Sequence, residues 1–233
     1  MRSLESGAVS LPDLDPARRY ALARQLMNTL EAEFPGSVAE LRGSLASGAA
    51  DPYSDIDLAW TVPDADFDAC LAGVEACLGR VRDVASLRSD PDLQRSRKRR
   101  LLFVAFRDLP LFWRLDLEIS ARSVAGDPAY DRDNPAARGD DWSAAASALA
   151  NAVAVVKAVL RQRPDVAAGL LERGLRRVGV AGDAAADAAE AGTASGRWQA
   201  GVVRLADAAV RHEPAQRPLA DRVRRLAAEL LEP

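Results

Sequence analysis

Histidine occurs once in the 233-residue chain, at His212, which rules out a His-rich metal centre. Cysteine occurs twice, at Cys70 and Cys77, seven residues apart in a segment with helical periodicity. A rise of about 1.5 Å per residue puts their Cα atoms roughly 10 Å apart, beyond disulfide reach, so the pair reads as buried free thiols. Arginine far outnumbers lysine, and 31 basic residues against 34 acidic ones give a net charge of −3. That is not the basic balance of a general nucleic-acid binder. Aromatic residues make up 5% of the chain, and none interleaves with the one dense basic run, RSRKRR at 95–100. Stacking on single-stranded bases is therefore unsupported. The run reads as a solvated loop balanced by Asp83, Asp90 and Asp92, with Arg99 and Arg100 as outside candidates for phosphate contact. Also missing are a Gly-Lys-Ser/Thr phosphate loop and a Gly-x-Gly-x-x-Gly turn, which argues against P-loop ATPase and dinucleotide-binding chemistry. No basic stretch followed by an apolar one opens the sequence. The longest uncharged run, 142–156, is too short for a span of about 20 apolar residues. A cytoplasmic protein with no membrane partner is the expectation.

What is present is enough apolar residue, 48%, and enough length for one large domain or two small ones. The first half mixes periods. A helix is expected over 15–33, capped by Asp13 or Asp15, with Leu22, Leu26 and Leu30 at four-residue spacing. Strands are expected at 38–41, 55–62 and 81–87, with a helix over 66–79. Two further β-rich runs, 100–106 and 112–119, flank a short turn around Pro110 and suggest a hairpin. From about 142 onward the pattern is helical, over 142–160, 164–179, 197–211 and 218–231. A stretch rich in Ala and Gly at 182–196 has the composition of a linker. The Asp- and Pro-bearing segment 127–140 marks the expected boundary between a first domain, 1–126, and a helical second one, 127–233.

One stretch asks for more than a fold: GSLASGAADPYSDIDLAW, residues 43–60. Asp55 and Asp57 lie two apart on an expected strand, so their side chains leave the same face. Two carboxylates that close repel unless a positive charge sits between them, and Mg²⁺ is the usual one, being hard and oxygen-seeking. Gly43 and Ser44, at a turn leading into a short helical segment, offer backbone N–H groups and a hydroxyl to an anion. Together they describe a nucleoside triphosphate held by its phosphates and bridged by metal to two acids. Bare Asp-x-Asp spacing says little, since Asp13/Asp15, Asp64/Asp66/Asp68 and Asp131/Asp133 share it as caps, turns or solvated faces. Context separates Asp55 and Asp57 from these: they open an apolar strand behind a Gly-Ser turn.

The stretch resembles the signature of the polymerase-β-type nucleotidyltransferase superfamily. Gly43, Ser44, the inner Gly48, Ser54, Asp55 and Asp57 match it in type and spacing. The wording is most similar to the bacterial small-molecule nucleotidyltransferases, including those acting on aminoglycosides, and to minimal nucleotidyltransferase domains. The resemblance covers 38–120. It implies an α+β fold, a nucleotidyltransferase mixed sheet with flanking helices, followed by a C-terminal helical domain and with the active site in the cleft between them. It also implies a third carboxylate on a later strand, and in FWRLDLEIS that position falls on Asp116, with Glu118 the other acid on the same face. Two Mg²⁺ ions held by Asp55, Asp57 and Asp116, with Gly43, Ser44 and Ser54 on the nucleotide side, would then transfer AMP from ATP, or another nucleotide, to a hydroxyl acceptor. The acceptor implied is a small molecule such as an aminoglycoside-like antibiotic, which would make the enzyme a resistance factor. The alternatives are a protein or RNA acceptor, or a non-catalytic, antitoxin-like nucleotide binder. One departure is visible: Leu45, Ala46 and Ser47 bring no arginine between the Ser and the inner Gly, so the triphosphate charge is met from elsewhere.

Overall fold

The computed structural model describes residues 14–139, 143–180 and 194–231. These fall into two compact units, one over 14–139 and the other beginning at Ser143. The Asp13 cap candidate and most of the 182–196 stretch lie outside the described residues.

The first unit is α+β. Helix α1 (Pro16–Glu33) starts where expected: the Asp15 carboxylate accepts from the Ala17 N–H at 2.8 Å, and Pro16 opens the helix without wasting a donor. Its buried stripe is Leu22, Ala23, Leu26, Met27 and Leu30. Strand β1 (Val38–Leu41) leads into α2 (Gly43–Ser47), and β2 (Ile56–Val62) carries the acid motif's second half. Helix α3 (Phe67–Gly79) then crosses to β3 (Val84–Ser89), β4 (Arg99–Phe106) and β5 (Leu115–Ala121). The strands form one mixed sheet in the order β1-β2-β5-β4-β3. β2 and β5 are parallel neighbours, and every other pairing is antiparallel, including the expected β4–β5 hairpin.

Alternation along β2 and β5 builds the core. Ile56, Leu58, Trp60, Leu115, Leu117 and Ile119 are at most 1% exposed. Each contributes about 1.5–3 kcal/mol of burial. Phe34, at the end of α1, packs against Trp60 with the rings tilted by 60° and their centroids 5.3 Å apart. Trp60 and Trp113 are thus core residues, 0% and 3% exposed. Cys70 and Cys77 are buried free thiols, and burial pushes Cys70 up to about 11, where it stays protonated. Edge strand β1 is partly blocked, since the Ala39 N–H donates to Glu31 Oε1 at 2.8 Å.

Two strands begin three residues later than expected. The strand expected at 81–87 begins only at Val84, because Val81 and Arg82 still donate to the Leu78 carbonyl and extend the end of α3. The run expected as strand from 112 begins at Leu115: Pro110 starts a 3-10 turn over Leu111–Trp113 instead, closed by Trp113 N–H to Pro110 O at 2.9 Å.

The segment after 126 packs with the first unit, so the division falls near Ser143 and not at 127. Backbone bonds cause this: Arg95 N–H donates to Ala137 O at 2.7 Å and Gly139 N–H to Pro91 O at 2.8 Å, while Arg99 Nη1 donates to Asp127 O at 2.8 Å.

The second unit is helical: α4 (Ala144–Leu160), α5 (Pro164–Arg177), α6 (Ala194–His212) and α7 (Arg217–Leu230). Ser143 caps α4 by accepting from Ala146 N–H and also donates to Glu213. Leu149, Val155, Leu171, Leu205 and Val223 are among its buried side chains. Among the described residues no helix is long and apolar enough to cross a membrane.

Candidate active site

The Gly-Ser turn meets the acids because α2 lies directly against β2. Arg42 N–H donates to the Asp57 carbonyl at 2.8 Å. Gly43 sits at φ +54°, and a Cβ placed there would lie 2.4 Å from Asp57 Oδ2. Gly48, the inner glycine, takes the left-handed conformation at the end of α2 (φ +70°) and donates its N–H to Ser44 O. Its place is thus explained by the end of the helix.

The loop into β2 is tied down. Asp51 Oδ1 accepts from Tyr53 N–H at 3.0 Å and from the Ser54 hydroxyl at 2.8 Å, and Ser54 Oγ accepts from Asp51 N–H at 3.1 Å. Ser54 is 5% exposed. From below, fully buried Arg19 donates from Nη1 to the carbonyls of Pro52 and Ser54, each at 3.2 Å. Arg19 thereby anchors the backbone on which Asp55 stands. Helical periodicity could place it on α1 but not reveal this partner.

The sheet register sets Asp57 beside Asp116, and Arg114 links Asp116 with Asp55. Asp57 faces Asp116 across the parallel β2–β5 pair, with Cα partners matched one to one. Arg114, just before β5, is held by its own carbonyl, which accepts from Ile56 N–H at 3.0 Å. Its guanidinium grips Asp116 with two bonds, Nε to Oδ1 at 2.6 Å and Nη2 to Oδ2 at 2.7 Å. The same Nη2 lies 3.6 Å from Asp55 Oδ2. Burial works to lower the Arg114 pKa, but the hydrogen bonds and charge of Asp116, with the charges of Asp55 and Asp57, outweigh it and hold the group above its ordinary value. The guanidinium also sits over the Phe103 ring, 4.9 Å from its centroid, and Phe103 is the β4 residue opposite Asp116. Among the described residues no three His, Cys, Asp or Glu side chains converge as a ready-made metal-binding group.

The neighbouring charges are committed elsewhere. Glu118 faces Ala59 and pairs with Arg99 Nη2 at 2.7 Å. Arg100 donates to the carbonyls of Leu93, Ser96 and Arg99. The two arginines named as outside candidates for phosphate contact thus brace the β4 end and its loop. Glu118→Gln is expected to cost about 1 kcal/mol through the loosened Arg99 pair, discounted for partial exposure. On the expectation that Asp116 is the third acid, turnover should survive Glu118→Gln and be lost in Asp116→Asn. Melting curves and pyrophosphate release measured side by side on the two variants check this, and the reverse pattern would move the third acid to Glu118.

No protein-family model and no curated protein sequence matches the chain. Among solved structures it is similar to a GLD-2–GLD-3 poly(A) polymerase complex at 16% identity and TM-score 0.35, over 73% of this chain and 44% of that one. It is similar to a GLD-2/RNP-8 complex at the same identity and score, over 82% of this chain and 54% of that one. The chain spans about half the length of these structures.

Proposed function

We propose that the protein is a metal-dependent nucleotidyltransferase of the polymerase-β type, moving AMP from ATP to the hydroxyl of a small molecule. The observation that carries this reading is the opposition of Asp57 and Asp116 on adjacent parallel strands, with Asp55 joined to Asp116 through Arg114 and the Gly43 turn pressed against Asp57. Mg²⁺ suits the chemistry of the donors, because carboxylates supply hard oxygen ligands and two of the three, Asp55 and Asp116, already share one positive charge, Arg114. Asp55, Asp57 and Asp116 would hold it, and it would supply charge neutralisation at the attacking and leaving oxygens.

The chain's own groups divide the rest. The Gly43 and Ser44 turn presents an amide and a hydroxyl to the β and γ phosphates. Ser54, through Asp51, keeps the loop that aims Asp55. Asp116 takes the proton of the acceptor hydroxyl as its oxygen bonds to the α-phosphorus. The bond from that phosphorus to its bridging oxygen breaks, and pyrophosphate leaves. A small acceptor, aminoglycoside-like in its hydroxyls and positive charge, suits the net charge of −3 and a basic run whose Arg99 and Arg100 are spent on the protein itself.

Pyrophosphate release with Mg²⁺, each of the four nucleoside triphosphates and a panel of hydroxylated antibiotics tests the reading. Release should require one acceptor and vanish in an Asp55→Asn/Asp57→Asn double variant. Silence across the panel would overturn the small-molecule acceptor, and release unchanged in the double variant would overturn the site.

A further inference from the structure

We propose that Arg114 is a built-in counter-ion that holds Asp116 and Asp55 together beside Asp57 before metal arrives, and that a divalent cation enters only by displacing it. This rests on the nucleotidyltransferase reading of Asp55, Asp57 and Asp116.

The geometry makes guanidinium and metal competitors. Arg114 engages both oxygens of Asp116, at 2.6 and 2.7 Å, and stands 3.6 Å from Asp55 Oδ2. A carboxylate oxygen turned to a guanidinium in this bidentate fashion presents to it the lone pairs a metal would use. Two positive groups cannot share the centre of one small acidic cluster, so entry of one requires withdrawal of the other. Without either, three like charges on neighbouring strands would repel. Arg114 therefore has a task that an ordinary surface ion pair lacks. Its side chain is only 28% exposed, against 27% for Asp55 and 20% for Asp116, so solvent screens the cluster incompletely.

Withdrawal needs a place to go, and the structure contains one. The guanidinium already lies 4.9 Å from the Phe103 centroid, within the range in which an aromatic face attracts a cation. Leaving Asp116 it can stay over that ring. The backbone need not move, since Ile56 N–H holds the Arg114 carbonyl at 3.0 Å. The next acid along the strand, Glu118, is already paired with Arg99, which leaves the Arg114–Asp116 pair distinct from the Arg99–Glu118 pair. A cation that must first expel Arg114 binds with an affinity reduced by the fraction of chains in which the acids are vacated. Arg114 is thus a positioning residue that makes metal affinity in the absence of nucleotide weaker than the acids alone would give.

The test is Mn²⁺ binding to the full chain without nucleotide, followed by the electron paramagnetic resonance of free Mn²⁺, with melting temperatures recorded in parallel. The proteins compared are the unaltered chain, Arg114→Gln, Arg114→Lys and Asp55→Asn/Asp57→Asn. Arg114→Gln should bind Mn²⁺ about tenfold tighter, melt lower without metal, and gain more in melting temperature when Mn²⁺ is added. Arg114→Lys, cationic but unable to grip a carboxylate with two bonds, should fall between, and it carries the test if Arg114→Gln does not fold. A merely structural arginine would lower stability without tightening Mn²⁺. Unchanged, weakened or absent Mn²⁺ binding in the Arg114 variants, with binding to the unaltered chain lost in the double Asp variant, overturns the counter-ion and leaves the site reading intact. Mn²⁺ binding that survives in the double Asp variant overturns the site reading itself.

Discussion

Asp57→Asn, alone or with Asp55→Asn, is expected to remove the proposed nucleotidyl transfer while leaving the melting temperature almost unchanged. The two outcomes separate because the two faces of β2 do different work. Ile56, Leu58 and Trp60 carry the core, at most 1% exposed, and neither substitution touches that face. Asp57 and Asp55 stand on the other side with partial exposure, and asparagine keeps their shape. Arg114 keeps its strongest partner, Asp116, in either variant. The repulsion among acids is also reduced. Stability should therefore move by less than about 1 kcal/mol. The proposed activity loses one of a small set of full negative charges assigned to the metal. Removing one preorganised charge-stabilising group costs roughly 10²–10³-fold in turnover, and removing two should exceed that. Pyrophosphate release against enzyme concentration, with circular dichroism melts on the same samples, measures both arms. Full activity in both single variants would take the metal away from these residues.

Much of this was readable in the sequence for a simple reason: alternation and capping are local. The opening helix, the Gly-Ser turn, the acid-bearing strand and the β4–β5 hairpin each follow from neighbours within a few residues. Alternation also placed Asp116 and Glu118 on one face. It could not say which of them opposes Asp57, because strand register is a property of two segments that lie far apart in the chain. Alternation put Arg114 on that face too, and the same limit hid its reach to Asp55 as well as the partners of Arg19. Nothing near Arg114 in sequence marks it as the partner of Asp55, and nothing in the periodicity of α1 shows that Arg19 reaches the carbonyls of Pro52 and Ser54. The later division between units was hidden likewise. Pro and Asp over 127–139 look like a linker by composition, yet backbone bonds to Pro91 and Arg95 fasten that segment to the first unit. Gly48 is the opposite case: it fits the family spacing, and its conformation is explained by helix termination alone.

Gly43→Ala is expected to be the most damaging single change that alters no charge. Two separate demands fall on this residue. Its φ of +54° is a left-handed conformation, which costs an alanine roughly 1–2 kcal/mol. Its Cβ would then stand 2.4 Å from Asp57 Oδ2 and 3.1 Å from Asp57 Cγ, closer than such atoms approach. Relief means rotating the Asp57 carboxylate or lifting α2 away, and the second route stretches the Arg42 N–H to Asp57 O bond of 2.8 Å. Either movement displaces a group of the proposed metal site by a sizeable part of an ångström. Misplacement by about 1 Å can cost 10²-fold in rate. Gly48→Ala separates the two demands. It imposes the same kind of backbone strain at φ +70°, but its Cβ would meet nothing within 4 Å. Both variants should lose stability by about 1–2 kcal/mol. Only Gly43→Ala should also lose about 100-fold or more in pyrophosphate release, and its Mn²⁺ binding should weaken with it. If the two variants lose activity equally, Gly43 serves the turn's backbone and not the Asp57 carboxylate. If Gly43→Ala alone fails, the turn and the acids act as one unit, the arrangement that nucleotide binding beside a metal requires.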